Sequence, residues 1–178
     1  MGSTRANRLC PTLATWIAEI ARVSTGLRCE LVDLANWRLP TDDEPDIPAL
    51  GRYVHEHTRA WSAKIAGADA FVFVTPQYNW GYPAPLKNAI DHLYNEWRGK
   101  PLVIISYGGH GGGKCAAQLA QVAQGVGMRV IPTMPGITLS NEVIQGAPVT
   151  PDKDLKDQIG PIQQAFVALT TALAEDRS

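Results

Sequence analysis

The chain has 178 residues, 45% of them hydrophobic and 19% charged, with a formal net charge of −1. That is the balance of one globular domain, residues 1–178, able to bury its own core. It lacks the basic surface that nucleic acid or an anionic membrane requires, so neither is an expected partner. Cys10, Cys29 and Cys115 are widely spaced and form no CxxC pair. This argues against a disulfide framework or a zinc site and fits a reducing cytoplasm. No leader pattern and no apolar run of bilayer length is present. A soluble cytoplasmic protein without a metal is expected.

Leu13, Trp16, Ile17, Ile20 and Ala21 recur at helical spacing, predicting a helix over 11–24 with Pro11 in its first turn. Residues 27–34 read as a strand. The Pro- and Asp-rich stretch 35–49 reads as a loop, because repeated prolines remove ladder and helix donors. A helix over 50–66 precedes Phe71-Val72-Phe73-Val74, a continuous apolar run suited to a strand covered on both faces. A helix over 83–95, a second such strand at Leu102-Val103-Ile104-Ile105, a helix over 113–126 and a short strand near 128–131 follow. The last helix is expected over about 152–175, with Gly160-Pro161 delaying its start. Alternation of strands and helices predicts an α/β fold with a doubly wound parallel sheet, whose strand-to-helix loops share one edge. The strand with which such a sheet normally opens has no residues here. A late start, a shortened gene and a sheet that closes up without the strand are the alternatives, the first two favoured. Made as written, the chain is expected to have lowered stability and weakened phosphate binding, because Ser3 loses its anchor.

Three strand-to-helix loops carry the chemistry. Gly2-Ser3-Thr4-Arg5-Ala6-Asn7-Arg8 offers close backbone approach, hydroxyls, two guanidinium forks and a following helix N-terminus. These suit a phosphate, although a frayed terminus of solvated charges would read the same way. Thr75-Pro76-Gln77-Tyr78-Asn79-Trp80-Gly81-Tyr82-Pro83 places three aromatics and two amides after a strand, suited to stacking on a flat ring and bonding its edge. Ser106-Tyr107-Gly108-Gly109-His110-Gly111-Gly112-Gly113 allows a backbone nest. It has neither the GxGxxG spacing of a dinucleotide site nor the GK[ST] ending of a P-loop. His55 and His57, two apart on a helix, face apart and suit a metal poorly. Asp42-Asp43-Glu44 reads as a solvated loop, Cys115 as a packed thiol, and Asp91 and His92 as structural.

Together these loops resemble the NADPH-dependent FMN reductase family, nearest its fungal quinone-reductase branch. The resemblance rests on Gly2-Ser3-Thr4-Arg5 with Arg8, on Pro76-Gln77-Tyr78-Asn79-Trp80-Gly81 running into Pro85-Leu86-Lys87-Asn88-Ala89-Ile90-Asp91, and on Ser106-Tyr107-Gly108-Gly109. It implies a flavodoxin-like fold of strand order 2-1-3-4-5 in a homodimer or homotetramer. It implies FMN with its phosphate on Ser3, Arg5 and Arg8, and its isoalloxazine against Pro76, Gln77, Tyr78 and Asn79, near Ser106, Gly108 and Gly109. Trp80, with Tyr82, would border the face where substrate enters. Hydride would pass from NADPH or NADH through FMN to a quinone, a flavin or another small acceptor, with no catalytic acid or base in the protein. Two other readings stand beside it: a flavodoxin-type electron carrier, and a non-catalytic paralogue acting as an interaction protein.

Overall fold

The computed structural model describes residues 1–41 and 43–176. Asp42, part of the acidic triplet, lies outside them. The sheet is parallel throughout. Strand β1 (Phe71–Pro76) pairs with the central strand β2 (Pro101–Gly108), Val72 opposite Val103 and Thr75 opposite Ser106. The other edge of β2 is shared by β3 (Arg129–Val130), beside Pro101 and Leu102, and β4 (Gly136–Thr138), beside Ser106 to Gly108. Side chains of β2 alternate between two apolar layers. Val103 and Ile105 pack with helices α1 (Cys10–Thr25) and α7 (Ile159–Glu175). Leu102 and Ile104 pack with α2 (Glu56–Ala66), α3 (Ala84–Asp91) and α4 (Gly113–Gly125). Every residue of β2 from Pro101 to Tyr107 is buried.

Helix α1 buries the predicted face, Leu13, Trp16, Ile17, Ile20 and Ala21. It ends where Gly26 turns left-handed and returns its N–H to the Arg22 carbonyl, a conformation that glycine adopts without penalty. α2 starts at Glu56 rather than 50, because Gly51 takes a left-handed φ of 65°. α3 stops at Asp91, short of the predicted end at 95, where a single 3-10 turn, Asn95–Trp97, begins. α7 begins at Ile159 and not near 152. Pro161 lacks the N–H that a helix interior needs and is tolerated only in a first turn. Short turns α5 (Asn141–Ile144) and α6 (Pro151–Asp154) fill the approach.

The predicted strand over 27–34 is not formed. Residues 27–33 form no ladder and are followed by a 3-10 turn at Leu34–Asn36. A strand needs a partner along its length, and among the described residues this segment meets one only at its end. The Met1 ammonium donates to the Val32 carbonyl at 2.8 Å, and the Leu34 N–H reaches the Met1 carbonyl at 3.5 Å. On the other side Gly2 donates to the Val74 carbonyl at 2.9 Å. Met1 and Gly2 thus bridge the 27–33 segment and β1 at the carboxyl end of the sheet. Below them lies a trough of about 500 Å³, lined in part by Leu31, Val32, Val72, Phe73, Leu86 and Trp97. Val72 and Phe73, expected to be covered on both faces, are half-buried for this reason.

Candidate functional site: three loops at the carboxyl edge of the sheet

The parallel register sends the ends of β1 and β2 to the same edge, and the bridge at Gly2 brings the first loop there as well. Ser3 is fully buried, and its Oγ lies 2.9 Å from the Tyr78 hydroxyl. The Arg5 guanidinium lies 3.7 Å from the centre of the Tyr78 ring. Tyr78 therefore joins the first loop to the second. The N-terminus of α1 has no side-chain cap and no acidic residue in its first turn, which leaves its free N–H groups and dipole directed at this loop. Arg8 is held by Asp33, Nη2 to Oδ2 at 2.6 Å, and donates to the Arg5 carbonyl at 3.1 Å. Its buried Nε has no hydrogen-bond partner among the described residues.

In the second loop Tyr78 and Gly81 exchange backbone hydrogen bonds of 2.8 and 3.0 Å. The two residues between them, Asn79 and Trp80, have φ of 49° and 71°. Positive φ at both central positions is what a two-residue hairpin requires, and it costs a non-glycine residue about 1–2 kcal/mol. The turn leaves Trp80 64% exposed, with the Lys114 ammonium 2.8 Å from its ring centre. The second loop is tied to the third and to the start of α4 through Gln77. Gln77 donates its N–H to the Tyr107 carbonyl at 2.9 Å, and its Oε1 accepts from the Cys115 N–H at 3.1 Å.

The third loop folds back on itself. The Ser106 hydroxyl donates to the Gly111 carbonyl at 2.7 Å. Gly112 has a φ of 77°, and a Cβ there would lie 2.8 Å from that of Ser106. Ile144 of α5 closes over Gly109, where a Cβ would meet its Cδ1 at 3.1 Å. Cys115 is fully buried, a packed thiol as expected, and burial pushes its thiol up to about 11. Burial, with the Cys10 thiol beside it, also raises the Tyr107 hydroxyl.

Residues 1–140 match the NADPH-dependent FMN reductase family. The chain belongs to this family. It is 56% identical over 168 residues to an NAD(P)H-dependent FMN reductase of Schizosaccharomyces pombe, covering 93% of this chain and 84% of that protein. It is 48% identical over 142 residues to an NAD(P)H-dependent FMN reductase of Saccharomyces cerevisiae, 74% of each chain. Among solved structures it resembles FerB, a flavoenzyme NAD(P)H:(acceptor) oxidoreductase from Paracoccus denitrificans. The TM-score is 0.72 at 26% identity, over 96% of this chain and 94% of that one. The chain is an FMN-dependent NAD(P)H oxidoreductase with the flavodoxin-like fold expected of it.

Seen within this family, the structure brings Ser3, Arg5, Arg8, Tyr78, Ser106, Gly108 and Gly109, with the 76–80 turn, to one edge. The orphaned Arg8 Nε and the uncapped helix end fit an anionic group, and the glycine turn at 108–112 fits a flat ring lying against backbone. Sequence reasoning missed the supports: Asp33 behind Arg8, the Cys115 N–H on Gln77, and Ile144 over Gly109. Asp33 was legible in one respect, as an Asp just ahead of a turn, where its Oδ1 accepts from the Ala35 N–H.

Proposed function

We propose that FMN is held with its phosphate between Ser3, Arg5, Arg8 and the N-terminus of α1. Its isoalloxazine lies against Pro76, Gln77, Tyr78 and Asn79, with Ser106, Gly108 and Gly109 beneath and Trp80 at the entrance. The observation that carries this reading is Tyr78, which bonds Ser3 and underlies Arg5, so that an anion site and a ring-binding turn form one surface. The chemistry supplied by the cofactor is two-electron transfer, from NADPH or NADH to a quinone, a flavin or another small acceptor. The protein's part is positioning. Arg5 and Arg8 neutralise the phosphate, the rigid 78–81 turn presents backbone groups to the ring edge, and Trp80 with its Lys114 partner borders substrate entry.

This reading takes residues 1–178 as one FMN-binding domain in the cytoplasm. No helix among the described residues is long and apolar enough to cross a membrane. A homodimer or homotetramer is supported by Ile47, Leu50 and Val54, large apolar side chains half or more exposed within one short segment. The electron-carrier reading is disfavoured by a net charge of −1, which supplies no docking field.

The test is the visible spectrum after FMN loading and desalting, followed by anaerobic NADPH. Retained flavin that bleaches is expected. Retained flavin that NADPH leaves oxidised would favour the electron carrier, and no retained flavin would favour the non-catalytic paralogue. Arg5→Ala assigns the phosphate site. FMN affinity should fall about tenfold to a hundredfold, the worth of a charge-assisted bond. Riboflavin, which has no phosphate, should bind both forms alike, and an equal loss for both ligands would move the phosphate elsewhere.

A further inference from the structure

On the α2–α3 layer, the Asp43 carboxylate and the imidazoles of His57 and His92 converge. One ligand atom from each lies within 4.8 Å of the other two. Asp43 Oδ2 is 2.8 Å from His57 Nε2, and Asp43 Oδ1 is 3.9 Å from His92 Nε2. Asp43 Oδ1 and His92 Nε2 are buried and have no hydrogen-bond partner among the described residues, while the buried His57 Nε2 has Asp43 Oδ2 against it. His57 on α2 was expected to face away from His55. Instead α2 starts at Glu56, so His55 is extended and its ring stacks on that of His57, centres 5.3 Å apart.

His92 decides the chemistry. It caps α3 and is only 7% exposed. Its Nδ1 lies 2.8 Å from the Asn88 carbonyl oxygen, which can only accept, so Nδ1 carries the proton. Nε2 is then the nitrogen that faces the Asp43 carboxylate in a buried space. A carbonyl that fixes the tautomer and leaves the other nitrogen free is the usual outer support of a metal-ligating histidine. The adjoining Glu44 ties this loop to the segment just ahead of α2, accepting from the N–H groups of Val54 and His55 at 2.9 and 3.1 Å. His55 steadies the loop by bonding the Asp43 carbonyl at 2.8 Å.

We propose that Asp43, His57 and His92 form a binding site for a divalent transition-metal ion, with Zn²⁺ the best match to two imidazoles and one carboxylate. Metal–ligand bonds of about 2.0–2.1 Å in tetrahedral geometry put ligand atoms roughly 3.3 Å apart. The observed 2.8 and 3.9 Å bracket that value. The ion would clip the 43–47 loop and the start of α2 to the end of α3. α3 is eight residues long, so the clip sits about 12 Å from the isoalloxazine loop at its other end. It is a site distinct from the flavin edge.

The experiment is titration of the metal-stripped full chain with Zn²⁺ alone, by calorimetry, and with Co²⁺, whose visible bands report coordination. One equivalent is expected to bind and to raise the melting temperature. His57→Ala and Asp43→Asn, both at partly exposed positions that should fold, should weaken binding at least about tenfold. Cys29→Ser, which removes the exposed thiol, should leave binding unchanged. Absence of one-to-one binding, or binding indifferent to both ligand substitutions, would overturn the proposal.

Discussion

Gly136→Ala is expected to lose FMN and to melt roughly 5–15 °C lower. A Cβ at Gly136 would stand 2.6 Å from the Gly111 carbonyl oxygen and 3.2 Å from its carbon. Both atoms are backbone, so no rotamer change relieves the contact. Gly111 cannot move freely either, since its φ is 71° and its carbonyl accepts the Ser106 hydroxyl at 2.7 Å. The methyl must drive the 109–112 turn away from β4, break that buried bond and shift the start of α4. Overpacking costs about 1–3 kcal/mol and a lost buried hydrogen bond about 1 kcal/mol. At this chain length each kcal/mol is worth about 2–4 °C. Gly113→Ala is the control. Nothing lies within 4 Å of its Cβ and its φ is not left-handed, so melting and flavin affinity should both stay near wild type. Normal FMN affinity in Gly136→Ala, alongside a lowered melting point, would remove the third loop from the flavin site.

Trp97→Ala is expected to cost about 3–5 kcal/mol, a large part of the 5–15 kcal/mol that holds a typical domain together. Trp97 is 1% exposed and lies edge-on to Phe71, Phe73 and Trp61, at centroid distances of 5.0, 6.1 and 6.5 Å. Its indole N–H donates to the Ile90 carbonyl at 3.0 Å. It also lines the trough beside β1, so truncation enlarges an existing space instead of letting neighbours collapse onto a small one. Denaturant unfolding measures the loss. Trp97→Phe keeps most of the apolar contact but leaves the carbonyl without its donor, and should fall between the two. A loss under about 1 kcal/mol for the alanine variant would mean that this aromatic cluster is not what joins α2 and α3 to the sheet.

The two long strands were legible because Phe71 to Val74 and Leu102 to Ile105 are apolar without a break, as strands of a covered parallel sheet must be. β4 was not legible, because Gly136-Ile137-Thr138 holds one buried side chain and follows Pro132 and Pro135. The 27–34 segment has strand composition, but composition does not supply a partner, and among the described residues only Met1 does so, at one end. Of the site, each loop was legible from its own residues. The ties between loops, such as Tyr78 to Ser3 and Gln77 to Cys115, join positions far apart in sequence and needed the fold. The histidine cluster was missed for the same reason and for one more. A helix drawn from residue 50 turns His55 and His57 apart, whereas the real start at Glu56 puts their rings in parallel.

The trough beside β1 also makes the two edges of that strand unequal in amide exchange. Successive residues of a strand turn their N–H and C=O groups to opposite sides. The Val74 carbonyl accepts from Gly2, which places Val74 and Val72 on the trough side, whereas Gln77 donates to Tyr107 and shares the β2 side with Phe73 and Thr75. Deuterium should therefore enter β1 at every second position. Val72 and Val74 should label through local opening, while Phe73 and Thr75 should label only with the global unfolding of the core.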